Sequence, residues 1–288
     1  MDRMAVTNCK NRRECLFEAK PFLGPIQDQI NSHSLKMWNA LLFHDISRDL
    51  RSHSSVSPTT FEYCVQMVLD SNNSVETVAM AAARDQGSVF SFTFDDGFHT
   101  DYTTVFPILV RHGISATFFT ITSNIGAKDY LAWSEIRELE DAGMEIGSHT
   151  HSHPFLTRLA TSKLTDELVR SKALLEDNLG TEVHSLAIPS DDYDHRVLCF
   201  AAEAGYTNIC ISEPGLNKIP LASGTPIRRN AAHRLINQYS LRRLVSPSSS
   251  DKFVQAAHYH LRRTLKRTLS SELYMSLRDK TLSFWNKA

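Results

Sequence analysis

Apolar residues in this chain come in short runs separated by polar or glycine-bearing stretches, and the runs alternate with longer segments of helical spacing. The run MWNALLFHDI over 37–46 reads as a buried strand that ends in His44-Asp45. Ser57-Pro58 opens a helix, with serine as N-cap and proline at the first helical position, and Phe61, Val65, Val68 and Leu69 fall at helical spacing behind it. A second helix is predicted over 75–84, capped by Ser74. Gly87 then punctuates the chain, and 89–94 is a strand that stops abruptly at two adjacent carboxylates and a glycine, Asp95-Asp96-Gly97.

Beyond that point strands and helices alternate regularly. A helix over 102–112, with Pro107 as a local fault, ends at Gly113, and 114–121 is a strand. A helix over 133–142 runs into Gly143, and a short strand over 144–147 leads to Ser148-His149-Thr150-His151-Ser152-His153-Pro154. A long amphipathic helix over 163–179 closes at Gly180. A strand at 183–188, a helix at 194–204 and a strand at 206–211 follow, then a short strand at 226–228 and a short helix at 239–245. Strands alternating with helices imply βα units and parallel pairing. Six or seven such units suit a closed or nearly closed α/β barrel, whose working face lies at the strands' C-terminal ends. A doubly wound open sheet is the alternative, and it too places sites there. On either reading His44, Asp95, Asp96, the histidine cluster and Pro189-Ser190 share one face.

Three divisions follow from this pattern. Residues 1–36 are polar and broken by Pro21, Gly24 and Pro25, an irregular lead-in; 37–245 carry the alternating pattern; 246–288 begin with a serine-rich linker and continue as a basic, helix-prone appendage. A solvated helix face explains the basic residues of that appendage better than a nucleic-acid or membrane patch does. The 288 residues have a formal net charge of −1, which gives no basic field to attract nucleic acid or an anionic membrane. Five scattered cysteines argue for a reducing compartment over a disulfide framework. The first 20 residues lack a continuous apolar core and cleavage site, and no apolar run approaches a membrane span of about 20 residues, so the expected location is cytoplasmic.

The chemistry sits at two strand ends. Adjacent carboxylates repel, and a strand terminus tolerates them if a cation neutralises one and leaves the other as a base. An Asp-Asp-Gly turn is the ordinary alternative. His149 and His153 are four residues apart, which in a helical turn puts both imidazoles on one side, able to share an ion, while His151 points elsewhere. Two histidines and one carboxylate make an open three-ligand site that accepts Zn2+, and also Co2+, Ni2+, Mn2+ or iron.

Thr93-Phe94-Asp95-Asp96-Gly97 and the stretch from Ser148 to Pro154 resemble the first two signature motifs of the polysaccharide deacetylases, the NodB-homology enzymes of carbohydrate esterase family 4. The second of these, His-Ser/Thr-x-x-His, is matched from His149 to His153. The resemblance spans about 37–245. It implies a distorted (β/α)7-type barrel of NodB-homology type, followed here by the helical appendage. It also implies that Asp95 is the general base, that Asp96, His149 and His153 hold a divalent metal, most simply zinc, and that the reaction is hydrolysis of an acetamide on an N-acetylated sugar. By the same resemblance the sequence departs from the third motif, Arg-x-Pro-Tyr. Ala187 stands where arginine would be and Ser190 where tyrosine would be, with only Pro189 kept. The late Leu-x-His motif that supplies the acid has no match. His44, in Phe43-His44-Asp45-Ile46, resembles the histidine of circularly permuted members, and His233 is the other candidate. Pro189, Ser190 and Arg228 are candidate substrate contacts; Arg228 and Arg229 are also candidates to pair with Asp95. The competing functions are an O-acetyl esterase or non-sugar amidase on the same metal centre, and a binding homologue with an impaired site.

Overall fold

The computed structural model describes residues 36–49, 52, 54–232 and 238–246, with 251, 257, 259–261, 264 and 268 beyond them. All but the last residue of the lead-in expected over 1–36, His233 and most of 246–288 lie outside the described residues, although those of the last segment that are described and lie past 250 are helical.

Among the described residues nine strands form one sheet: β1 (Met37–Phe43), β2 (Ser74–Val75), β3 (Val89–Phe94), β4 (Thr117–Thr120), β5 (Glu145–Ser148), β6 (Ser185–Ala187), β7 (Asn208–Ile211), β8 (Asn217–Lys218) and β9 (Ile227–Ala231). Seven of them, β3-β4-β5-β6-β7-β9-β1, pair in parallel, and β1 pairs back onto β3 from Trp38↔Val89 to Phe43↔Phe94, which closes the barrel. β2 and β8 pair outside that ring. Helices α1 (Pro58–Asp70), α2 (Val78–Ala82), α3 (Phe106–His112), α4 (Trp133–Asp141), α5 (Thr161–Leu179), α6 (His195–Glu203) and α7 (Gln238–Val245) complete the βα alternation. This is the (β/α)7-type barrel that the resemblance implies, and of the two architectures left open by the alternation it is the closed barrel, not the doubly wound open sheet. None of the described helices is long and apolar enough to cross a membrane.

The period-2 alternation of strand side chains divides the core in two. Trp38, Ala40, Val89, Phe119, Ala187, Cys210 and Ile227 form one buried cluster with α2 residues Val78 and Ala81, filling the barrel from its N-terminal end. The opposite parity, including Leu41, Phe43, Phe92, Phe94, Phe118 and Ile146, packs outward against the helices. Gly147 is part of the inner design: a Cβ there would lie 2.5 Å from the Phe119 ring. Parity then carries to the strand ends. Thr93 shares the inner face with Val89, so Asp95 does as well, and the same count from Ile227 places Arg229 inside.

Two predicted elements differ in detail. The helix expected at 75–84 begins instead at Val78 with Thr77 as its N-cap, because Ser74-Val75 first pairs with Val89-Phe90 as β2. The helix expected to start at Tyr102 opens as a π-helical turn, Asp101–Val105, and runs on into α3 with Pro107 just behind the junction, so the wider turn falls where proline has no N–H to donate.

Candidate metal centre

Two strand ends build the centre. β3 delivers Asp95, whose backbone N–H donates to the Phe43 carbonyl at 3.0 Å and so holds it beside the end of β1. The chain then turns through left-handed backbone at Asp96 (φ 80°) and Gly97 (φ 72°). Glycine is needed at the second position, since a Cβ on Gly97 would sit 3.1–3.3 Å from Thr120. β5 delivers His149, whose N–H donates to Thr120 at 2.8 Å.

The histidine segment is not a helical turn. Its backbone is left-handed at Thr150 (φ 66°) and at His153 (φ 59°), and a β-branched residue in that region is strained. Hydrogen bonds hold it there: Thr122 N–H to the Thr150 carbonyl, Ser123 N–H to the His151 carbonyl, and His153 N–H to the Thr150 hydroxyl at 3.1 Å. The result is the same convergence by a different route, with the rings of His149 and His153 4.9 Å apart. His151 turns away and meets the Thr122 hydroxyl at 2.9 Å.

His149 Nε2 lies 3.5 Å and His153 Nε2 3.8 Å from the same oxygen, Asp96 Oδ1, and one ligand atom from each residue lies within 4.8 Å of the others. His149 Nδ1 is 2.9 Å from the carbonyl of Ala187 at the end of β6. A carbonyl only accepts, so Nδ1 carries the proton and Nε2 presents its lone pair to the cluster. Burial, then the neighbouring His149, hold His153 down to about 4, against the opposing pull of Asp96 and Asp95, which favours its neutral imidazole. Two imidazoles and a carboxylate aimed at one point are the donor set of a divalent ion with open positions.

Asp95 has a different partner. Arg229 donates from both terminal nitrogens, Nη1 to Oδ1 at 2.7 Å and Nη2 to Oδ2 at 2.8 Å, and both residues are buried. Burial alone would raise the Asp95 carboxyl; the Arg229 guanidinium overcomes that and holds it down to about 2. Arg229 also donates to Thr93 Oγ1 at 3.2 Å, and its guanidinium lies 5.2 Å from the Phe119 ring centroid. The two repelling carboxylates thus face unlike neighbours, an arginine for Asp95 and two imidazoles for Asp96.

Of the remaining sequence candidates, His44 is brought to the site and Arg228 is not. His44 follows β1 directly, one residue past Phe43, which pairs with Phe94 just before Asp95. Its Nδ1 is buried without a hydrogen-bond partner among the described residues. Arg228 faces outward and pairs with Glu213 at 2.7 Å, its side chain 48% exposed. Pro189 is buried, and Ser190 is exposed on a left-handed turn (φ 54°). The next residue, Asp191, accepts from Ser212 N–H at 2.8 Å and from the buried Tyr259 hydroxyl at 2.5 Å, so the C-terminal segment braces this loop. Sequence reading left Arg229 as one of two candidate partners for Asp95. Strand parity counted from Ile227 separates the two arginines. The Tyr259 contact has no signal in the sequence.

The family model described as polysaccharide deacetylase matches residues 82–209. YxkH of Bacillus subtilis is 31% identical over 159 residues, which is 55% of this chain and 52% of that protein. Chitin deacetylase 1 of Cryptococcus neoformans is 29% identical over 42% of this chain and 25% of its own length. Peptidoglycan-N-acetylglucosamine deacetylase PgdA of Listeria monocytogenes is 32% identical over 31% and 19%. The chain therefore spans about half, or less, of the curated relatives it matches. Among solved structures, BC0361, a polysaccharide deacetylase from Bacillus cereus, aligns with a TM-score of 0.67 at 22% identity, covering 74% of this chain and 70% of that one. Streptococcus pyogenes deacetylase PplD gives 0.65 at 22%, covering 74% and 100%, so the barrel is shared at low identity.

Proposed function

Residues 82–209 belong to the polysaccharide deacetylase family, and from that premise we propose that this chain is a metal-dependent hydrolase that removes acetyl groups from N-acetylated sugars. The observation that carries the proposal is the convergence of His149 and His153 on Asp96, with a second carboxylate, Asp95, held apart by Arg229.

In this reading Asp96, His149 and His153 hold a divalent ion, most simply Zn2+. Bound there, the ion would supply Lewis acidity toward the acetyl carbonyl and the attacking water. Asp95 accepts the water's proton as the oxygen adds to the carbonyl carbon. Its bidentate pairing with Arg229 keeps it ionised at any physiological pH and fixes the direction of its remaining lone pairs. Arg229 thereby takes the base-orienting place that the family's third-motif arginine would hold at Ala187, and the Ala187 carbonyl instead fixes the tautomer of His149. His44, alongside Asp95 at the neighbouring strand end, protonates the leaving nitrogen as the C–N bond breaks, giving a free amine and acetate. Water addition and amine departure occur on different sides of the carbonyl carbon, which suits an acid and a base carried by adjacent strands.

Acetate release from N-acetylglucosamine oligomers, with and without a chelator, tests this directly. Activity that survives complete removal of metal defeats it, as does failure of the purified protein to take up any divalent ion near neutral pH. An O-acetylated sugar assayed in parallel separates the two acyl chemistries; activity on the ester alone replaces the amidase reading.

A further inference from the structure

We propose that Tyr259 is a positioning residue for the reaction: from the C-terminal segment, and through Asp191, it holds the loop after β6 in the kinked course that this loop takes beside His149. The inference rests on the deacetylase reading for the reaction it serves and on separate geometry for the hold itself.

The loop leaves directly from the metal centre. Ala187 ends β6 and accepts the His149 Nδ1–H at 2.9 Å. Ile188 N–H then donates to the Cys210 carbonyl at 3.0 Å, and beyond it the chain turns. Two consecutive residues that carry a Cβ, Ser190 (φ 54°) and Asp191 (φ 56°), take left-handed backbone. Such a pair is costly and persists only where its surroundings hold it. The turn bonds inside the loop, Asp191 N–H to the Ile188 carbonyl at 3.2 Å and Asp192 N–H to the Pro189 carbonyl at 3.0 Å, bend the chain without tying it to a neighbour. Two carboxylates make the outside ties. Asp192 Oδ2 accepts from the N–H and the hydroxyl of Thr157, each at 2.8 Å. Asp191 Oδ1 accepts from Ser212 N–H at 2.8 Å, just past β7, and its Oδ2 accepts from the Tyr259 hydroxyl at 2.5 Å.

Tyr259 turns inward from a segment that otherwise faces solvent. Residues 257, 259, 260, 261, 264 and 268 are helical, and of these only Tyr259 is buried. A buried phenol needs a hydrogen-bond partner, and a carboxylate gives it a short, charge-assisted one. The segment is moored to the barrel independently of the loop. Asp251 Oδ1 meets Arg243 Nη2 of α7 at 2.5 Å, and Asn39 of β1 donates to the Leu244 and Val245 carbonyls at the end of α7, at 3.0 and 3.2 Å. β7 is the one strand of the parallel ring that no helix follows before the next ring strand, so the flank beside Ser212 is open to a segment from elsewhere in the chain. Without the Tyr259 hydroxyl, Asp191 keeps one of its two ties, the left-handed pair relaxes, and the loop loses its fixed course beside His149.

Full-length Tyr259→Phe keeps the buried ring and removes only the hydroxyl, so it tests the hold without emptying the core. By hydrogen–deuterium exchange and mass spectrometry, the amides of 190–192 and of Ser212 should exchange about tenfold faster than in the wild type, the scale of one hydrogen bond to a charged group, with the β3 and β5 peptides unchanged. Metal uptake should stay stoichiometric. With the N-acetylglucosamine tetramer, kcat should fall by about tenfold while KM moves less than about twofold, the split expected of a displaced site rather than a lost contact. Asp191→Ala should lower kcat at least as far, and adding Tyr259→Phe to it should cost nothing further. Leu261→Ala, exposed on the same segment, should change neither loop exchange nor kcat. Loop exchange unmoved by Tyr259→Phe overturns the proposal, as does a loosened loop with unmoved kcat or a further loss in the double variant; in each case acetate release by the wild type leaves the deacetylase reading standing. A wild type that releases no acetate, with loop protection still dependent on the Tyr259 hydroxyl, defeats the deacetylase reading and leaves the hold on the loop standing.

Discussion

The two sides of the barrel mouth are built in different ways. On the β3–β5 side, Asp95, Asp96, His149 and His153 come from two contiguous stretches, and each stretch carries its own turn and its own hydrogen bonds. On the β1–β6–β9 side, His44, the Ala187 carbonyl and Arg229 come one at a time from strands far apart in the chain, and the last two act on residues of the first side. The first side supplies a donor set; the second fixes the protonation and direction of that set. A motif can therefore be complete in the sequence while the groups that tune it are scattered, and a replaced motif residue, such as Ala187 in place of arginine, does not mean a missing function when another strand end reaches the same point.

The comparison breaks most sharply at the first side. Asp96→Asn or His149→Ala should abolish stoichiometric metal uptake and activity together, read by elemental analysis and acetate release. Asp95→Asn should keep the metal and lose activity by a factor of about 10²–10⁴, the usual contribution of a general base. Equal metal loss in Asp95→Asn would merge the two carboxylate roles.

The second side is tested next by Arg229. Arg229→Met leaves Asp95 buried and unpaired and should cost about 3–5 kcal/mol of folding stability in denaturant titration. Arg229→Lys should recover part of the stability but little of the activity, because an ammonium cannot reproduce the two-pronged contact. Arg228→Ala, one residue away and facing outward, should change stability by no more than about 0.5 kcal/mol, and a larger loss would contradict the assignment by strand parity. Gly147→Ala lies below both sides: its Cβ would meet Phe119, and overpacking of that kind costs about 1–3 kcal/mol.

The smallest effect belongs to Asp101, beneath the mouth. Both its carboxylate oxygens are buried without a hydrogen-bond partner among the described residues, and burial, then the nearby Asp96, Asp45 and Asp95, push its pKa well above the usual value. In the folded protein the carboxyl keeps its proton while in the unfolded chain it ionises near pH 4. Rising pH above that point therefore stabilises the unfolded state relative to the folded one, until the folded carboxyl itself ionises. Asp101→Asn removes that term. Melting temperatures of wild type and variant should coincide near pH 4 and separate as pH rises toward 8, with the variant the more stable. A constant difference across the range would show that the carboxyl is already ionised in the folded protein.

Most of the barrel was readable from the chain because its elements are locally specified. Apolar runs, glycine stops and Ser57-Pro58 each mark one element, and the alternation of strand and helix implies parallel pairing whatever the details. The misplaced start of α2 is the exception that shows why: Ser74-Val75 has the same local chemistry as a helix start, and only pairing with Val89-Phe90 makes it a strand. The candidate ligand set was readable for the same reason, since the Asp-Asp-Gly and His-x-x-x-His stretches each bring their residues together within one turn.

What the sequence by itself determined is the βα alternation, the two carboxylates at one strand end and the paired histidines at another. Tertiary structure alone decided which carboxylate meets an arginine, that the arginine is Arg229 and not Arg228, that a backbone carbonyl sets the tautomer of His149, and that Tyr259 braces the loop after Pro189. The physical reason is that short motifs fix dihedrals and spacing within a turn, whereas charge pairing across a barrel depends on strand order and on which face each side chain takes after closure.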